Sequence, residues 1–168
     1  MAEELSKIVA HDVEALAHAV LERACAADLK IVTAESCTGG LLASLLTDVE
    51  GASHAFDRGF VSYSDTAKCE LLGVERDTVE GCGAVSRQTA EAMVRGALRY
   101  SQGDVAVSIT GFAGPGAPGD EPGLVHFACG RRDGPVAHRE AHFGDIGRGP
   151  VRLAALRVAL EMLSDTID

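Results

Sequence analysis

The most constraining feature of the sequence is a short apolar run that leads directly into a loop of glycine and proline. Residues 105–110 read Val-Ala-Val-Ser-Ile-Thr, which is typical of a buried β-strand, and residues 111–119 contain too many glycines and prolines for a helix. In open α/β sheets, ligands bind at the carboxyl ends of such strands. The sequence therefore predicts an α/β domain with a candidate pocket at this loop.

A second junction of the same kind occurs earlier in the chain. Residues 29–34 predict a short buried strand, which the small-residue turn at 35–40 connects to a helix over about 39–47. Ser36 lies in this turn, at a strand-to-helix junction. Because carboxyl ends of parallel strands meet at one edge of a sheet, we expect the turn and the 110–119 loop to form walls of one pocket.

Helical periodicity and a hairpin signal supply the other elements. The predicted helices span about 5–27, 65–72 ending at Gly73, 86–101 with Ser86 as N-cap, and 149–165, and the predicted strands span about 60–63, 123–130 and 136–143. Asp133-Gly134 lies between the last two strands, which should pair antiparallel. We expect one domain over residues 1–168, a three-layer α/β/α sandwich on a mixed, mainly parallel sheet with an antiparallel hairpin.

Composition and charge exclude several classes of function. Fifteen Lys and Arg against 25 Asp and Glu give a formal net charge of −10, and there is no Trp. The chain therefore has little with which to neutralise phosphates or stack on bases, and nucleic acid is not an expected partner. No apolar run approaches the ~20 residues of a membrane span and no signal peptide is recognisable, so we expect a cytoplasmic protein without membrane contact.

The cysteine and histidine patterns predict neither a disulfide framework nor a metal site. The five cysteines form no C-x-x-C pair, and we expect them to be reduced and mostly buried as small core residues. His126, His138 and His142 all lie on predicted hairpin strands. A metal site would need histidines to converge from different strands, so we expect satisfied or exposed imidazoles and no metal.

The two loops match no standard nucleotide motif. Neither G-x-x-x-x-G-K-[ST] nor G-x-G-x-x-G is present, which disfavours an ATPase or a Rossmann dehydrogenase. Main-chain N–H groups over residues 37–40 could bind either a phosphate or the oxyanion of a tetrahedral intermediate, and spacing does not choose between them. Ser36 lacks the G-x-S-x-G elbow of α/β-hydrolases and no histidine stands out as its base, so a Ser–Lys pairing is the more economical catalytic option.

Several ordered motifs together give the chain a specific resemblance. They are AESCTGG at 34–40, RGFVSYS at 58–64 followed by Lys68 and LGV at 72–74, GAVS at 83–86, and SITGFAGPG at 108–116. Over about residues 8–165, the sequence closely resembles the competence/damage-inducible CinA C-terminal domain family.

The resemblance implies nicotinamide-nucleotide amidohydrolase activity without a cofactor. In this reaction nicotinamide mononucleotide and water give nicotinate mononucleotide and ammonia, as part of NAD recycling. The serine, tyrosine and lysine of the family fall on Ser36, Tyr63 and Lys68. Many relatives carry this domain behind a larger N-terminal domain, and we expect the domain to stand alone here.

The implied mechanism makes demands on these three residues. An unperturbed lysine, with a pKa of about 10.4, is a poor base at neutral pH, so Lys68 must be held partly neutral by burial or a nearby cation to deprotonate Ser36. Tyr63 would relay a proton or orient the ammonium. Main-chain N–H groups at 38–40 or at Gly111 would stabilise the oxyanion, and water would hydrolyse a nicotinyl-serine ester.

Substrate contacts are expected from the two loops and from the last helix. Arg148 and Arg152 lie in a segment that resembles the family's G-D-R-x-x-x-R and are candidates to bind the substrate phosphate. The remaining candidate substrate-binding residues belong to the loops and are Cys37, Thr38, Gly39, Gly40, Thr110, Gly111, Ala113 and Gly114.

Three alternatives remain open. Cys37, at a helix N-terminus, is an alternative nucleophile if its pKa is lowered. The domain could be a non-catalytic module that binds a pyridine nucleotide or a protein partner in competence or DNA damage. It could also hydrolyse another small carboxamide, because Gly-Leu-Val at 123–125 replaces the family's Gly-Thr-Val and residues 146–147 are an apparent insertion. We also expect a homo-oligomer that forms through an exposed sheet edge.

Overall fold

The computed structural model describes residues 8–168 as a five-stranded sheet between two layers of helices. The strands are β1 (Ile31–Glu35), β2 (Phe56–Val61), β3 (Val105–Gly111), β4 (Leu124–Arg131) and β5 (Val136–His142). The helices are α1 (His11–Ala26), α2 (Leu41–Thr47), α3 (Asp65–Leu72), α4 (Arg76–Cys82), α5 (Arg87–Arg99) and α6 (Arg148–Ile167). Among the helices of residues 8–168, none combines the length and the hydropathy that a membrane span requires.

The sheet has the order β2-β1-β3-β4-β5. β1 pairs in parallel with β2 and β3, whereas β4 runs antiparallel to both β3 and β5. All strands except β4 therefore point the same way, which confirms the mixed, mainly parallel sheet with an antiparallel hairpin. Glu35 lies opposite Ile109 in the β1–β3 ladder, so both strands end at the same edge of the sheet.

Two hydrophobic cores cover the two faces of the sheet and confirm the three layers. Helices α1, α2 and α6 pack on one face, where Phe127 and Val107 contribute the strand side chains. Helices α3, α4 and α5 pack on the other face, where the strands contribute Ala106 and Ala128. The small strand residues let α5 approach the sheet closely. A Cβ at Gly96 of α5 would overlap the carbonyl oxygen of Leu72, so α5 and α3 are also in close contact.

The structure departs from the predicted elements in three places. Helix α1 begins at His11 rather than at about residue 5, because Ala10 is extended; residues 5–7 lie outside the described chain. Helix α4 was not predicted. Val79 is its one buried residue, so its sequence has no repeated apolar positions that would indicate a helix. Strand β2 begins at Phe56 rather than at 60, because Asp57, Arg58 and Gly59 interrupt the apolar pattern of this edge strand.

Candidate active site

The carboxyl ends of β1 and β3 open into a cavity of about 260 Å³. Its walls come from the turn after β1, the loop after β3, the start of α3 and the segment before α5. The lining residues are Ser36, Cys37, Tyr63, Asp65, Lys68, Ala84, Val85, Thr110, Gly111, Phe112, Ala113, Gly114, Pro115, Gly116 and Arg148. The two loops thus meet in one pocket, as their positions after neighbouring parallel strands predicted.

Ser36 and Lys68 are in direct contact inside this cavity. Lys68 Nζ lies 3.1 Å from Ser36 Oγ, and both side chains are buried. The same Nζ donates to the main-chain carbonyl oxygens of Ser62, at 3.2 Å, and Tyr63, at 3.3 Å. Burial lowers the pKa of Lys68, and this effect exceeds the opposing effect of the nearby Asp65 carboxylate. The geometry thus places a lysine with a lowered pKa against a serine hydroxyl.

Local structure fixes the positions of both residues. Ser36 extends β1 by one residue, since its main-chain N–H donates to the carbonyl oxygen of Ile109 at 2.9 Å. Lys68 lies in the middle of α3, whose first turn is capped by the Ser64 hydroxyl accepting from the N–H of Ala67 at 3.1 Å. The contact between serine and lysine therefore joins a strand end to a capped helix.

Glu35, immediately before Ser36, is a functional residue that the sequence reasoning missed. Its fully buried carboxylate accepts from the main-chain N–H groups of Gly40 at 3.2 Å, Leu42 at 3.1 Å and Ala43 at 2.8 Å. These donors lie at the N-terminus of α2. The first N–H groups of a helix have no carbonyl partner in a preceding turn, so the Glu35 carboxylate supplies the acceptor. The carboxylate thus fixes the turn that carries Ser36. An acidic residue at the end of an apolar strand was the available signal.

Only part of the turn can offer N–H groups to a ligand. Gly39 and Gly40 have φ of 60° and 92°, which glycine adopts readily. The N–H of Gly39 donates to the Ser36 carbonyl at 3.1 Å and that of Gly40 to Glu35, so neither group is available. Within residues 8–168, the N–H groups of Cys37 and Thr38 donate to no oxygen. The prediction for residues 38–40 is corrected accordingly, because the two glycines shape the turn and the available donors lie at 37 and 38.

The glycine loop after β3 forms the opposite wall of the cavity. The N–H groups of Ala113 and Gly114 also donate to no oxygen of the described chain. Thr110 was predicted to bind substrate, but its hydroxyl donates to the carbonyl oxygen of Ala84 at 2.7 Å. Thr110 therefore connects the loop after β3 to the segment before α5, and its hydroxyl proton is already engaged.

The two candidate phosphate-binding arginines occupy different environments. Arg148, at the start of α6, is exposed, lines the cavity and lies beside Gly114, where an added Cβ would be 3.4 Å from the guanidinium. Arg148 has no hydrogen bond or ion pair within the described part of the chain. Arg152 does not line the cavity; it donates to the carbonyl oxygen of Thr38 at 2.9 Å, and its Nε is buried without a partner. Arg148 thus faces the ligand space, whereas Arg152 supports the Ser36 turn.

Tyr63 and Cys37 line the cavity in ways that bear on the mechanism. The Tyr63 side chain is 68% exposed, and its main-chain carbonyl, rather than its phenol, contacts Lys68. Burial raises the pKa of the Cys37 thiol to about 11. A thiol with this pKa is protonated at neutral pH, which argues against Cys37 as the nucleophile.

Comparison with known proteins places the chain in a family context. Residues 13–167 match the family model described as the CinA C-terminal domain. The chain is 48% identical over 134 residues to a protein of Enterobacter agglomerans named nicotinamide-nucleotide amidohydrolase PncC, and the match covers 78% of this chain and 80% of that protein.

The chain also matches a longer relative and a solved structure. A CinA-like protein of Chlorobium limicola is 47% identical over 148 residues, and the chain spans 34% of that relative's length while the match covers 83% of this chain. The crystal structure of the competence/damage inducible protein CihA from Agrobacterium tumefaciens matches with a TM-score of 0.90 and 48% identity, covering 94% of this chain and 96% of that one.

Proposed function

The chain belongs to the CinA C-terminal domain family, and from this membership we propose that it hydrolyses the carboxamide of nicotinamide mononucleotide to nicotinate mononucleotide and ammonia. The observation that carries the proposal is the buried contact of 3.1 Å between Ser36 Oγ and Lys68 Nζ in the cavity. The substrate is inferred from the relative named as a nicotinamide-nucleotide amidohydrolase.

The contacts of Lys68 fit a neutral amine that acts as a base. A neutral amine has two N–H groups and one lone pair, whereas an ammonium has three donors and no lone pair. In the neutral form, the carbonyl oxygens of Ser62 and Tyr63 accept the two N–H groups, and the lone pair is left to accept the proton of the Ser36 hydroxyl at the 3.1 Å contact. The lowered pKa of Lys68 favours this form, so Lys68 can accept the serine proton.

The reaction then proceeds in two stages. Ser36 Oγ attacks the carboxamide carbon as its proton moves to Lys68 Nζ, and the carbonyl π electrons move to the oxygen. The unengaged N–H groups of Cys37 and Thr38 stabilise this oxyanion. Its collapse breaks the C–N bond, and Lys68 delivers its proton to the leaving ammonia. Water, deprotonated by Lys68, hydrolyses the nicotinyl-serine ester, and Ser36 recovers its proton.

We assign recognition of the substrate phosphate to Arg148. Its guanidinium lines the cavity and has no internal partner among the described residues, so no existing contact must break when an anion binds. A guanidinium binds phosphate through two parallel hydrogen bonds. We assign Arg152 a positioning role, because its bond to the Thr38 carbonyl orients the peptide next to the proposed oxyanion donors.

We further propose a cytoplasmic location and self-association. All five cysteines are free, which is consistent with a reducing compartment. Strands β2 and β5 each have one edge unpaired in the five-stranded sheet, and such edges favour association. Sedimentation velocity that finds only a 17.4 kDa species would overturn the self-association proposal.

The test of the function is ammonia release from nicotinamide mononucleotide by the purified native protein, Ser36→Ala and Lys68→Met. We expect each variant to lower kcat at least ~10²-fold, since each removes the nucleophile or its base. Lys30→Met is the matched control, because Lys30 is exposed and outside the cavity, and its activity should equal that of the native protein.

Two further substrates separate the remaining candidate functions. Ammonia release from nicotinamide or asparagine, but not from nicotinamide mononucleotide, would indicate an amidase for another carboxamide. Inactivity on all three substrates, combined with nicotinamide mononucleotide binding by calorimetry, would indicate a non-catalytic binding module. Full activity in Ser36→Ala would reject the serine mechanism whatever the substrate.

A further inference from the structure

A second group of ligand-type side chains lies on the sheet outside the cavity. His126 of β4 faces Glu140 of β5 in the antiparallel register, and His138 is the neighbour of Glu140 on the same face of β5. His126 Nδ1 lies 3.0 Å from His138 Nε2, and the two rings stack with centroids 5.3 Å apart. Glu140 Oε2 lies 3.9 Å from His126 Nδ1. Histidines from different strands thus converge, the condition that a metal site on this hairpin requires.

We propose that His126, His138 and Glu140 bind a divalent transition-metal ion, with Zn²⁺ as the expected ion. Two imidazole nitrogens, one carboxylate oxygen and one open position form a donor set that zinc uses in proteins. One ligand atom from each residue lies within 4.8 Å of the others. Ligand atoms around tetrahedral zinc lie about 3.3 Å apart, so only small side-chain shifts are needed. Imidazole ligands disfavour Ca²⁺ and Mg²⁺, which prefer oxygen.

A hydrogen bond between the two imidazoles does not account for the whole arrangement. Two neutral rings share one proton between His126 Nδ1 and His138 Nε2, which satisfies those two atoms only. Glu140 Oε2 faces them without a hydrogen-bond donor anywhere in residues 8–168. Acceptor atoms from three residues therefore converge on one small space, and a cation placed there would contact all three residues.

Contacts outside the three residues hold Glu140 in a ligating orientation. Its other oxygen, Oε1, lies 3.2 Å from His142 Nε2, and His142 Nδ1 lies 2.6 Å from Glu121 Oε1. This chain of contacts occupies Oε1 and leaves Oε2 directed at the two imidazoles. Outer contacts of this kind orient the ligating side chains in metal sites.

The proposed site is separate from the Ser36–Lys68 cavity but adjoins its wall. Thr110, which lines the cavity, lies opposite His126 in the β3–β4 ladder. None of the three proposed ligands lines the cavity. An ion bound here would connect edge strand β5 to β4, so the expected effect is stabilisation of the hairpin rather than participation in hydrolysis.

The test is a calorimetric titration of the metal-free full chain with Zn²⁺ alone. We expect one ion per chain, and a Tm that rises with zinc concentration because the ion binds only the folded state. His138→Gln and Glu140→Gln should each weaken zinc binding at least ~10-fold. His11→Gln is the matched control, since His11 is exposed and lies 3.8 Å from the Glu14 carboxylate but has no second imidazole in contact. This variant should bind zinc like the native protein.

Cobalt distinguishes the proposed ligands from the cysteines. Co²⁺ bound by nitrogen and oxygen should give visible d–d bands without the near-ultraviolet charge-transfer band of thiolate ligands. Glu140 is exposed, so Glu140→Gln should fold even if His138→Gln does not, and circular dichroism checks both. The proposal is overturned by a thiolate band, by zinc affinity that is unchanged in Glu140→Gln, or by a folded native protein that does not bind zinc.

Discussion

The two sides of the cavity differ in how their polar groups are held. Around Ser36, the lysine amine and the Glu35 carboxylate have partners within the chain, and Arg152, which does not line the cavity, donates to the carbonyl of Thr38. On the side that faces the open ligand space, Arg148 has no hydrogen bond among the described residues, and Tyr63 is 68% exposed although its main-chain carbonyl accepts from Lys68. The difference indicates that the proposed chemical groups are preorganised, whereas the groups facing the substrate are left open to bind it.

The two sides of the cavity should therefore respond differently to substitution. Substitutions on the preorganised side should lower kcat or the free energy of unfolding, because they disturb groups whose geometry is set before substrate arrives. Substitutions on the open side should raise KM and leave stability unchanged, because they remove contacts that form only with substrate.

The largest effect is expected for Lys68, which should also set the pH dependence of hydrolysis. Burial lowers the pKa of Lys68 below its ordinary value of 10.5. Only the neutral amine accepts a proton, so kcat/KM of the native protein should rise with pH through the lowered pKa and level off above it. Lys68→Met should lose at least ~10²-fold in kcat and should lack this rising limb. A pH profile identical in both proteins would mean that another group is the base.

Glu35 should show the next largest effect, on both stability and catalysis. Glu35→Gln removes the charge from a carboxylate that accepts three main-chain N–H groups and should lower the free energy of unfolding by about 2 kcal/mol. Because Ser36 is the next residue, kcat should fall while KM changes little. Urea unfolding measures the first effect and steady-state kinetics the second.

The control for Glu35 is an exposed carboxylate. Glu80→Gln breaks an ion pair between the largely exposed Glu80 and Arg76, and should change stability by less than ~0.5 kcal/mol without affecting kcat. Equal effects of the two substitutions would contradict the role of Glu35 in fixing the turn.

Arg148 and Arg152 are only four residues apart, but they should respond differently to substitution. They therefore test directly whether the two sides of the cavity are distinct. Arg148→Ala should raise KM for nicotinamide mononucleotide about 10- to 100-fold with kcat nearly unchanged, since an anion contact of this type contributes about 1.5–3 kcal/mol. Arg152→Ala should instead lower kcat, because the Thr38 carbonyl loses one of its two donors and keeps only the N–H of Leu41 at 3.1 Å. If both variants mainly raised KM, Arg152 would also bind the substrate and the two sides would not be distinct.

Sequence patterns predicted the layers and the pocket better than they predicted contacts. Strand and helix periodicity is local, so β3, β4 and β5 were found within a few residues, and the parallel order placed both loops at one edge. The proposed role of Ser36 as nucleophile came from the family resemblance, because a serine in a turn is usually only a cap. The contacts of Glu35 were not predicted because its partners are main-chain N–H groups, whose positions depend on the folded turn.

The arginines illustrate a second limit of sequence reasoning. The resemblance to the family's G-D-R-x-x-x-R segment assigned Arg148 and Arg152 the same role, and residues spaced i and i+4 share one face of a helix. In the structure, Arg148 is in the first turn of α6 beside the glycine loop, whereas Arg152 is one turn further along and contacts the turn after β1. Which loop each arginine meets depends on tertiary packing, which the spacing does not contain.

The smallest effect is expected for the phenol of Tyr63, on the open side of the cavity. Its main-chain carbonyl accepts from Lys68 at 3.3 Å, and Tyr63→Phe retains that carbonyl and the aromatic ring. The exposed hydroxyl has no hydrogen bond within the described chain, so kcat should remain within about 3-fold of native. Loss of 10-fold or more in kcat would show that the phenol transfers a proton in the reaction, as general acids and bases contribute about 10²- to 10⁴-fold. Tyr63 would then belong to the groups that carry out the chemistry, and its side chain would have to move when substrate binds.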